Sequence, residues 1–270
     1  MKDFLAKGLE NCFDGEDLFS FVDKMEGQLF RKIDDRRTIR VRIDGAYYFA
    51  KIHQGVGWFE IMKNLMQGRL PVLGARNEWL ALRALKTADV PSMTPVLFCE
   101  RGFNPAKRRS AILTEALDFK ITLEDFETKD PILKKALIIE VAKISKKMHG
   151  AGVNHRDFYL CHFLLNAPRA EKPKFKPILH LIDLHRAQVR KSVPRRWLVK
   201  DLGGLLFSAL EKNLTKRDLL RFIREYDPRP LRKCLSEDDS FWREVVDRAI
   251  RLWMQRHDST PEHLKKLLLL

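Results

Sequence analysis

Apolar and polar positions alternate early in the chain and later recur at helical spacing, and that change of period divides it. Between Thr38 and Ile43, Ile39, Val41 and Ile43 fall on one face and Arg40 and Arg42 on the other, the period of two that a half-buried strand requires. Asp44-Gly45 follows, then Tyr47 to Ile52, a run rich in β-formers. Two such runs joined by Asp-Gly predict a hairpin closed by a type I′ turn. Lys51 falls near the end of its second strand. Residues 58–66 (WFEIMKNLM) have helical spacing, a Gly-Arg-Leu-Pro break ends them, and Glu78 to Lys86 begins a further helix. Pro95 to Cys99 and Ser110 to Thr114 read as two more strands, joined by a basic loop with Lys107, Arg108 and Arg109.

Beyond Glu115 the steps become three and four: Leu133, Leu137, Val141, Ile144 and Met148 form one helical stripe. Lys134, Lys135, Lys143, Lys146 and Lys147 lie mostly off it, as a solvated face. Gly150 and Gly152 end this helix, and NHRDFYLCHFLL follows directly. After a Pro- and Lys-rich loop, Ile178 to Asp183 reads as a strand, and from Trp197 onward the pattern is largely helical. Strands mixed with helices, then mostly helices, predict an α+β fold of two lobes. The boundary falls near Thr114 to Asp118, giving residues 1–114 and 115–270.

Composition narrows the partners. Of 270 residues 45% are hydrophobic, enough for a full core, and 51 Lys and Arg against 36 acids leave a net charge of +15. Such an excess concentrates nucleotide, nucleic acid or anionic lipid alike. No zinc-finger spacing, RNA-recognition signature or helix-turn-helix pattern is present, so no nucleic-acid partner is expected. The four cysteines lack a CxxC pair and read as reduced, mostly buried thiols. The segment MKDFLAKGLENCF lacks the apolar core of a signal peptide, and no run reaches the roughly 18 to 20 apolar residues of a membrane span. The chain therefore reads as cytoplasmic, at most peripheral to a membrane.

Phosphoryl transfer asks a protein for a cation on the nucleotide phosphates, carboxylates for the bridging metal, and a carboxylate aligning the acceptor hydroxyl. His155-Arg156-Asp157 opens an H-R-D-x-x-x-x-H stretch directly after a helix, and Asp183 ends the apolar run ILHLID. Lys51 on a strand and Glu78 in the first turn of a helix form a candidate ion pair. Each alone has an ordinary explanation: an edge-strand lysine, an acid on a helix dipole, a turn aspartate. Their joint order makes the combination informative.

Lys51, Glu78, His155-Arg156-Asp157 and Asp183 resemble the signature set of the protein-kinase-like fold. The segments LPVLGARNEW, GVNHRDFYLCHFLL, IDLHRAQ and PRRW are similar to the lipopolysaccharide core heptose(I) kinase family. The resemblance implies an ATP-dependent enzyme of Gram-negative bacteria, at the cytoplasmic face of the inner membrane. Its acceptor would be the first heptose of the inner core on lipid A. Asp157 would orient and deprotonate the sugar hydroxyl, Lys51 would hold phosphates with Glu78 holding Lys51, and Asp183 would bind Mg²⁺. The backbone around Glu115 and Leu117 would receive adenine.

Two departures stand out. No Gly-rich loop precedes Lys51, so Arg36 or Arg37 is a candidate for covering phosphates. His162 stands where an Asn usually binds metal, and imidazole suits Mg²⁺ less well than oxygen; it is either a metal ligand or a support for the loop. Only seventeen residues separate Asp183 from Asp201, too few for a regulated activation segment, which favours a small or glycolipid acceptor over a protein. The basic residues there (His185, Arg186, Arg190, Lys191, Arg195, Arg196, Lys200) suit the carboxylates and phosphates of such an acceptor, with about half expected to serve the fold instead. Asp201 opens an apolar helix and reads as architectural. The 58–66 helix is expected to pack on the small lobe, with contact to an acyl chain or anionic membrane as the alternative. The surplus charge leaves room for an acidic protein partner. Competing readings are a kinase for another small hydroxylated substrate or for protein tyrosine, and a non-catalytic pseudokinase scaffold.

Overall fold

The computed structural model describes residues 3–12, 15–33, 35–68, 70–117, 121–166, 177–237 and 239–257. The Pro- and Lys-rich loop at 167–176 and the LKKLLLL tail lie outside them. The chain forms two compact units, one of Met1–Arg83, Met93–Leu117 and Leu184–Arg186, the other of Ala84–Ser92, Asp118–Asp183 and Ala187–Leu270.

The first unit is built on an antiparallel sheet of strands β1 (Phe4–Leu5), β2 (Gln28–Ile33), β3 (Arg36–Ile43), β4 (Ala46–His53), β5 (Pro95–Arg101) and β6 (Arg109–Glu115), ordered β1-β5-β6-β4-β3-β2. The Asp-Gly hairpin forms as the pattern predicts: Asp44 and Gly45 both have positive φ (46° and 81°), as a type I′ turn demands. That turn fixes the register, pairing Arg42 with Tyr47 and Thr38 with Lys51. Ile39 and Val41 are thereby buried, while Arg40 lies over the Tyr47 ring, its Cζ 4.0 Å from the centroid. Helix α1 (Leu18–Lys24), capped by Asp17 on the Ser20 amide, places Phe19 and Val22 in the core beneath the sheet.

Helix α2 (Gly57–Met66) departs from expectation in how it packs. It buries Ile61 alone, and Phe59 and Met66 are 82% and 85% exposed. The helix does pack on its unit, as expected, but through Ile61 and not through its broader apolar face. Trp58, Met62 and Leu65, on the adjoining arc of the helix, are exposed as well. Helix α3 (Arg76–Thr87) is anchored in this unit by Trp79, stacked on Phe98 at 5.2 Å.

The second unit is mainly helical: α4 (Pro131–Gly150), α5 (Arg195–Ala209), α6 (Lys216–Tyr226), α7 (Leu231–Glu237) and α8 (Asp239–Met254). Asp130 caps α4 on the Ile132 amide, with Pro131 in the first turn where its missing N–H costs nothing. The predicted stripe is the buried one, with Leu137, Val141, Ile144 and Met148 inside. A reciprocal capping box between Thr215 and Asp218 starts α6. Gly203 lets α8 approach α5: a Cβ there would lie 2.5 Å from Arg248 Cγ and 3.1 Å from the Val245 carbonyl oxygen. Short strands complete the unit, β7 (Ile121–Thr122), β9 (Phe163–Leu165) and β10 (Leu179–Leu181) in one sheet and β8 (Val153–Asn154) with β11 (Gln188–Val189) in another.

Gly152 is the most closely packed glycine of this unit. Its φ is +74°, and a Cβ would stand 1.9 Å from the Arg190 carbonyl oxygen, while its own carbonyl accepts the Arg190 amide at 2.9 Å. Gly152→Ala should therefore destabilise the protein by at least about 2 kcal/mol; chemical denaturation measures this, and an unchanged midpoint would contradict the close approach.

Candidate active site

In the first unit, β4 and α3 bring Lys51 and Glu78 together. Lys51 Nζ donates to Glu78 Oε1 at 2.7 Å, with the lysine side chain 14% exposed and the glutamate fully buried. The predicted pair is real. Glu78 Oε2 has no hydrogen-bond partner among the described residues, and a buried carboxylate in that position depends on its one cation. Arg37 is committed elsewhere, to the carbonyl and carboxylate of Asp23, which leaves Arg36 the better candidate for covering phosphates. At the end of β6, the Glu115 amide donates to Thr94 O and the Ala116 amide to Tyr47 O, both at 2.9 Å; Leu117 follows them.

In the second unit, the HRD segment runs from β8 into a turn organised by Asp201. This carboxylate, 1% exposed, accepts the backbone amides of His155 (2.7 Å) and Arg156 (2.8 Å). Asp201 lies in the second turn of α5 rather than opening it, and its architectural role is explicit in these bonds. Arg156 takes a left-handed φ of 75°, a conformation that costs a non-glycine residue about 1 kcal/mol or more and persists only where the surroundings impose it. His149 extends the set: its Nε2 lies 3.4 Å from Asp201 Oδ2 and its Nδ1 2.9 Å from Tyr226 Oη.

His155 is fully buried. Its Nε2 lies 3.0 Å from the Ile182 carbonyl, so it donates, and its ring stacks on His162 at 5.3 Å. Burial pushes its pKa down to about 4, so the ring is neutral near pH 7. His162 in turn places Nδ1 2.6 Å from the Asp157 carbonyl oxygen. A carbonyl only accepts, so Nδ1 carries the proton; in the neutral ring Nε2 then offers a lone pair. That nitrogen lies 3.8 Å from Asp183 Oδ2. Asp183 itself has φ +60°, two residues past the last paired residue of β10, so a turn rather than the strand aims its carboxylate.

Asp157, His162 and Asp183 are thus gathered within the second unit, and Lys51 and Glu78 within the first. Among the described residues no group of three or more His, Cys, Asp or Glu could hold a metal unaided. One carboxylate with an adjacent imidazole nitrogen fits Mg²⁺ only as nucleotide-bound metal, whose remaining ligands are phosphate oxygens and water.

Two features escaped the sequence reading. A cavity of about 170 Å³ in the second unit is lined by apolar side chains including Leu137, Val141, Leu202, Leu205 and Phe222, with Lys134 and Lys212 in its wall. Its signal was present in the helical stripes of α4, α5 and α6, but stripes do not reveal gaps between them. The other is Asn154, fully buried, whose side-chain oxygen accepts from Arg190; a lone Asn beside the HRD motif carries no distinguishing pattern.

Comparison with known proteins accounts for most of the chain. The model of the lipopolysaccharide kinase (Kdo/WaaP) family matches residues 21–226. The chain is similar to the lipopolysaccharide core heptose(I) kinase WaaP of Pseudomonas aeruginosa, 44% identical over 263 residues covering 95% of this chain and 94% of the relative. It is likewise similar to the WaaP of Escherichia coli, 43% identical over 255 residues covering 92% and 96%. A solved structure described as WaaP in complex with acyl carrier protein is 41% identical, with a TM-score of 0.79, covering 94% of this chain and all of that one.

The buried histidine makes stability depend on pH. Because the folded-state pKa of His155 is about 4 against 6.5 for the ordinary group, the unfolded chain takes up its proton first as pH falls. The stabilisation is complete above pH 6.5 and lost between 6.5 and 4, and buried His53, held down to about 3 by burial and by Arg36, adds to the same slope. Melting temperature should stay level from pH 8 to 7 and fall below 6.5. In His155→Gln the free-energy slope should shrink by about 1 kcal/mol per pH unit. An equal slope in both proteins would mean that His155 is not held neutral.

Proposed function

The chain belongs to the lipopolysaccharide kinase (Kdo/WaaP) family, and from that premise we propose that it transfers phosphate from ATP to a heptose hydroxyl of the lipopolysaccharide inner core. The observation that carries this reading is the likeness to heptose(I) kinases over more than nine-tenths of the chain. The folded HRD segment supports it.

Asp157 is the residue we assign to the acceptor. Its carboxylate aligns the sugar hydroxyl and takes its proton as the bond to phosphorus forms. His162 positions that residue by donating to its carbonyl oxygen, and the Asp201 bonds fix the two residues before it. Lys51 binds nucleotide phosphates, and Glu78 holds the ammonium in place while keeping it charged. Adenine lies against the backbone around Glu115 and Leu117, so that residues 1–114 chiefly serve the nucleotide and 115–270 the catalytic loop and acceptor. Asp183, with His162 Nε2 beside it, would hold Mg²⁺, which when bound would neutralise charge on the transferring phosphoryl group.

The absence of a helix long and apolar enough to cross a membrane among the described residues is compatible with action at a membrane face, where a glycolipid acceptor resides. The outward face of α2 gives an amphipathic contact for such a surface. The solved relative was obtained with acyl carrier protein. This chain, with its net charge of +15, suits an acidic protein of that kind, and its apolar cavity suits an acyl chain. An acylated carrier protein should then bind at least about tenfold more tightly than the unacylated form. Equal affinities by calorimetry would remove the cavity from this role.

The decisive assay is phosphate transfer from ATP and Mg²⁺ to purified core-lipid A lacking its heptose phosphate, read by mass spectrometry. One phosphate should appear on heptose. Asp157→Ala should lose at least about 10²-fold in rate with its melting temperature unchanged, as expected for a positioned acid–base group. Transfer that survives Asp157→Ala would reassign the base, and no transfer by the wild-type protein would overturn the acceptor.

A further inference from the structure

Helix α2 turns most of its apolar side chains away from the core. Trp58, Phe59, Met62, Leu65 and Met66 fall on an arc of roughly 120° beside Ile61, at 3.6 residues a turn, and all five are exposed. Exposed apolar residues scattered singly are ordinary, but a contiguous set marks a surface that meets something other than water. The polar residues take the remaining arc, and the one acid of the helix is already engaged. Glu60 accepts from Lys63 Nζ at 3.2 Å and from Asn64 Nδ2 at 2.8 Å.

A second exposed element is fixed beside it. The segment entering α2 packs against the short turn Pro105–Lys107: a Cβ on Gly55 would lie 2.8 Å from the Ala106 carbonyl oxygen and 3.1 Å from Lys107 Cα. Asn104 caps that turn by accepting the Ala106 amide at 3.0 Å. One residue before this cap, Phe103 is 100% exposed, a benzyl group held out in water by a structured loop. The loop has no acid between Arg101 and Arg109. Arg101 is taken by Asp3 and Asp17, and Arg108 lies 3.9 Å from Glu100. Lys107 is exposed and makes no ion pair among the described residues.

We propose that the outward face of α2, with Phe103 beside it, docks on an anionic bilayer. The apolar side chains enter the boundary between headgroups and acyl chains, and Lys107 meets lipid phosphates. This rests on the reading of a kinase with a glycolipid acceptor, and deepens it by naming the surface that meets the membrane carrying that acceptor. Charge chooses the occupant. An apolar helical face bordered by cations, with its one acid engaged, is the pattern of a helix lying in the membrane interface, and each exposed lysine gains from the field of anionic lipids. A second copy of the chain would set this basic patch against itself in a two-fold contact. A protein partner would need a socket shaped for a phenylalanine standing clear of the surface, whereas fluid acyl chains close around any protruding shape. Docking confines enzyme and acceptor to one surface, which raises their effective concentration without a new contact to the sugar.

The test is co-sedimentation of the full chain with vesicles of phosphatidylethanolamine and phosphatidylglycerol, beside vesicles of phosphatidylcholine alone, with melting temperatures run for every variant. The wild type should bind the anionic vesicles at least about tenfold more tightly than the neutral ones and release them at high salt. Phe59→Ser combined with Met66→Ser, and separately Phe103→Ser, should weaken binding at least about tenfold with melting unchanged. Lys107→Gln should weaken it about fivefold, the worth of one lysine at an anionic surface. Tryptophan emission should shift to shorter wavelength on anionic vesicles in wild type and not in Trp58→Phe, which keeps an apolar ring at that position. Phosphate transfer is read separately. With acceptor carried in these vesicles the double variant should show a raised acceptor KM and a kcat within about twofold, and with acceptor dispersed in detergent its KM should match wild type. Transfer by a wild type that does not bind vesicles would overturn the docking surface and leave the kinase reading; vesicle binding without transfer would overturn the heptose acceptor and leave the surface standing. Equal binding to both kinds of vesicle, or binding unchanged in the double variant and in Phe103→Ser, would overturn the proposal. So would a wild-type dimer in light scattering that the same substitutions dissociate, since the face would then belong to a second copy.

Discussion

The buried carboxylate of Asp201 is the constraint on which the second unit's chemistry depends. It takes two backbone amides, those of His155 and Arg156, in a place where neither could reach water. A buried amide left without an acceptor costs about 1 to 3 kcal/mol, so the bonds strongly favour one path of the chain. That path forces Arg156 into left-handed backbone and delivers Asp157 at the next position. The His149–Tyr226 pair on the far side of Asp201 ties the carboxylate to α4 and α6, so the loop inherits the rigidity of three helices.

From that anchor a second chain of contacts leads to the remaining carboxylate. His155 donates to Ile182 and stacks on His162, and His162 holds the Asp157 carbonyl while presenting its other nitrogen toward Asp183. Burial keeps the first of these rings, His155, neutral. A histidine in place of the more usual amide is therefore well used: one ring both braces the loop and offers a lone pair beside the carboxylate. The first unit relies on a single pair in the same spirit. Glu78 is buried completely against Lys51, and removing the lysine would strand a carboxylate in a medium that poorly solvates charge.

The surplus of positive charge has more than one use. Arg101 is absorbed by Asp3 and Asp17, and Lys147 by Asp89, exposed contacts of little energetic weight. The cations gathered at Trp197 are different, because they stand at the uncapped start of a helix and beside the HRD segment. Net charge explains attraction to anions in general, whereas that local arrangement gives it direction.

Much of this protein is legible in the sequence where the signal is local. The Asp44-Gly45 turn sets its own backbone, the α4 stripe declares its buried face, and the motif blocks around Lys51, Glu78, Asp157 and Asp183 carry the kinase resemblance. The alternation in β3 likewise tells which of its residues go inside. Other features rest on encounters between distant residues. The pattern of α2 reads as a helix with an apolar face, yet only packing decided that Ile61 goes in while Phe59 and Met66 stay out. The cavity among α4, α5 and α6 is a gap between side chains, which no single helix encodes. The sequence showed a run of arginines after Asp183; the fold chose which one meets Glu244 and which gather on Trp197. Periodicity and turn chemistry act over a few residues and are written in the chain, but the partner of a charge depends on what folding brings within a few ångströms of it.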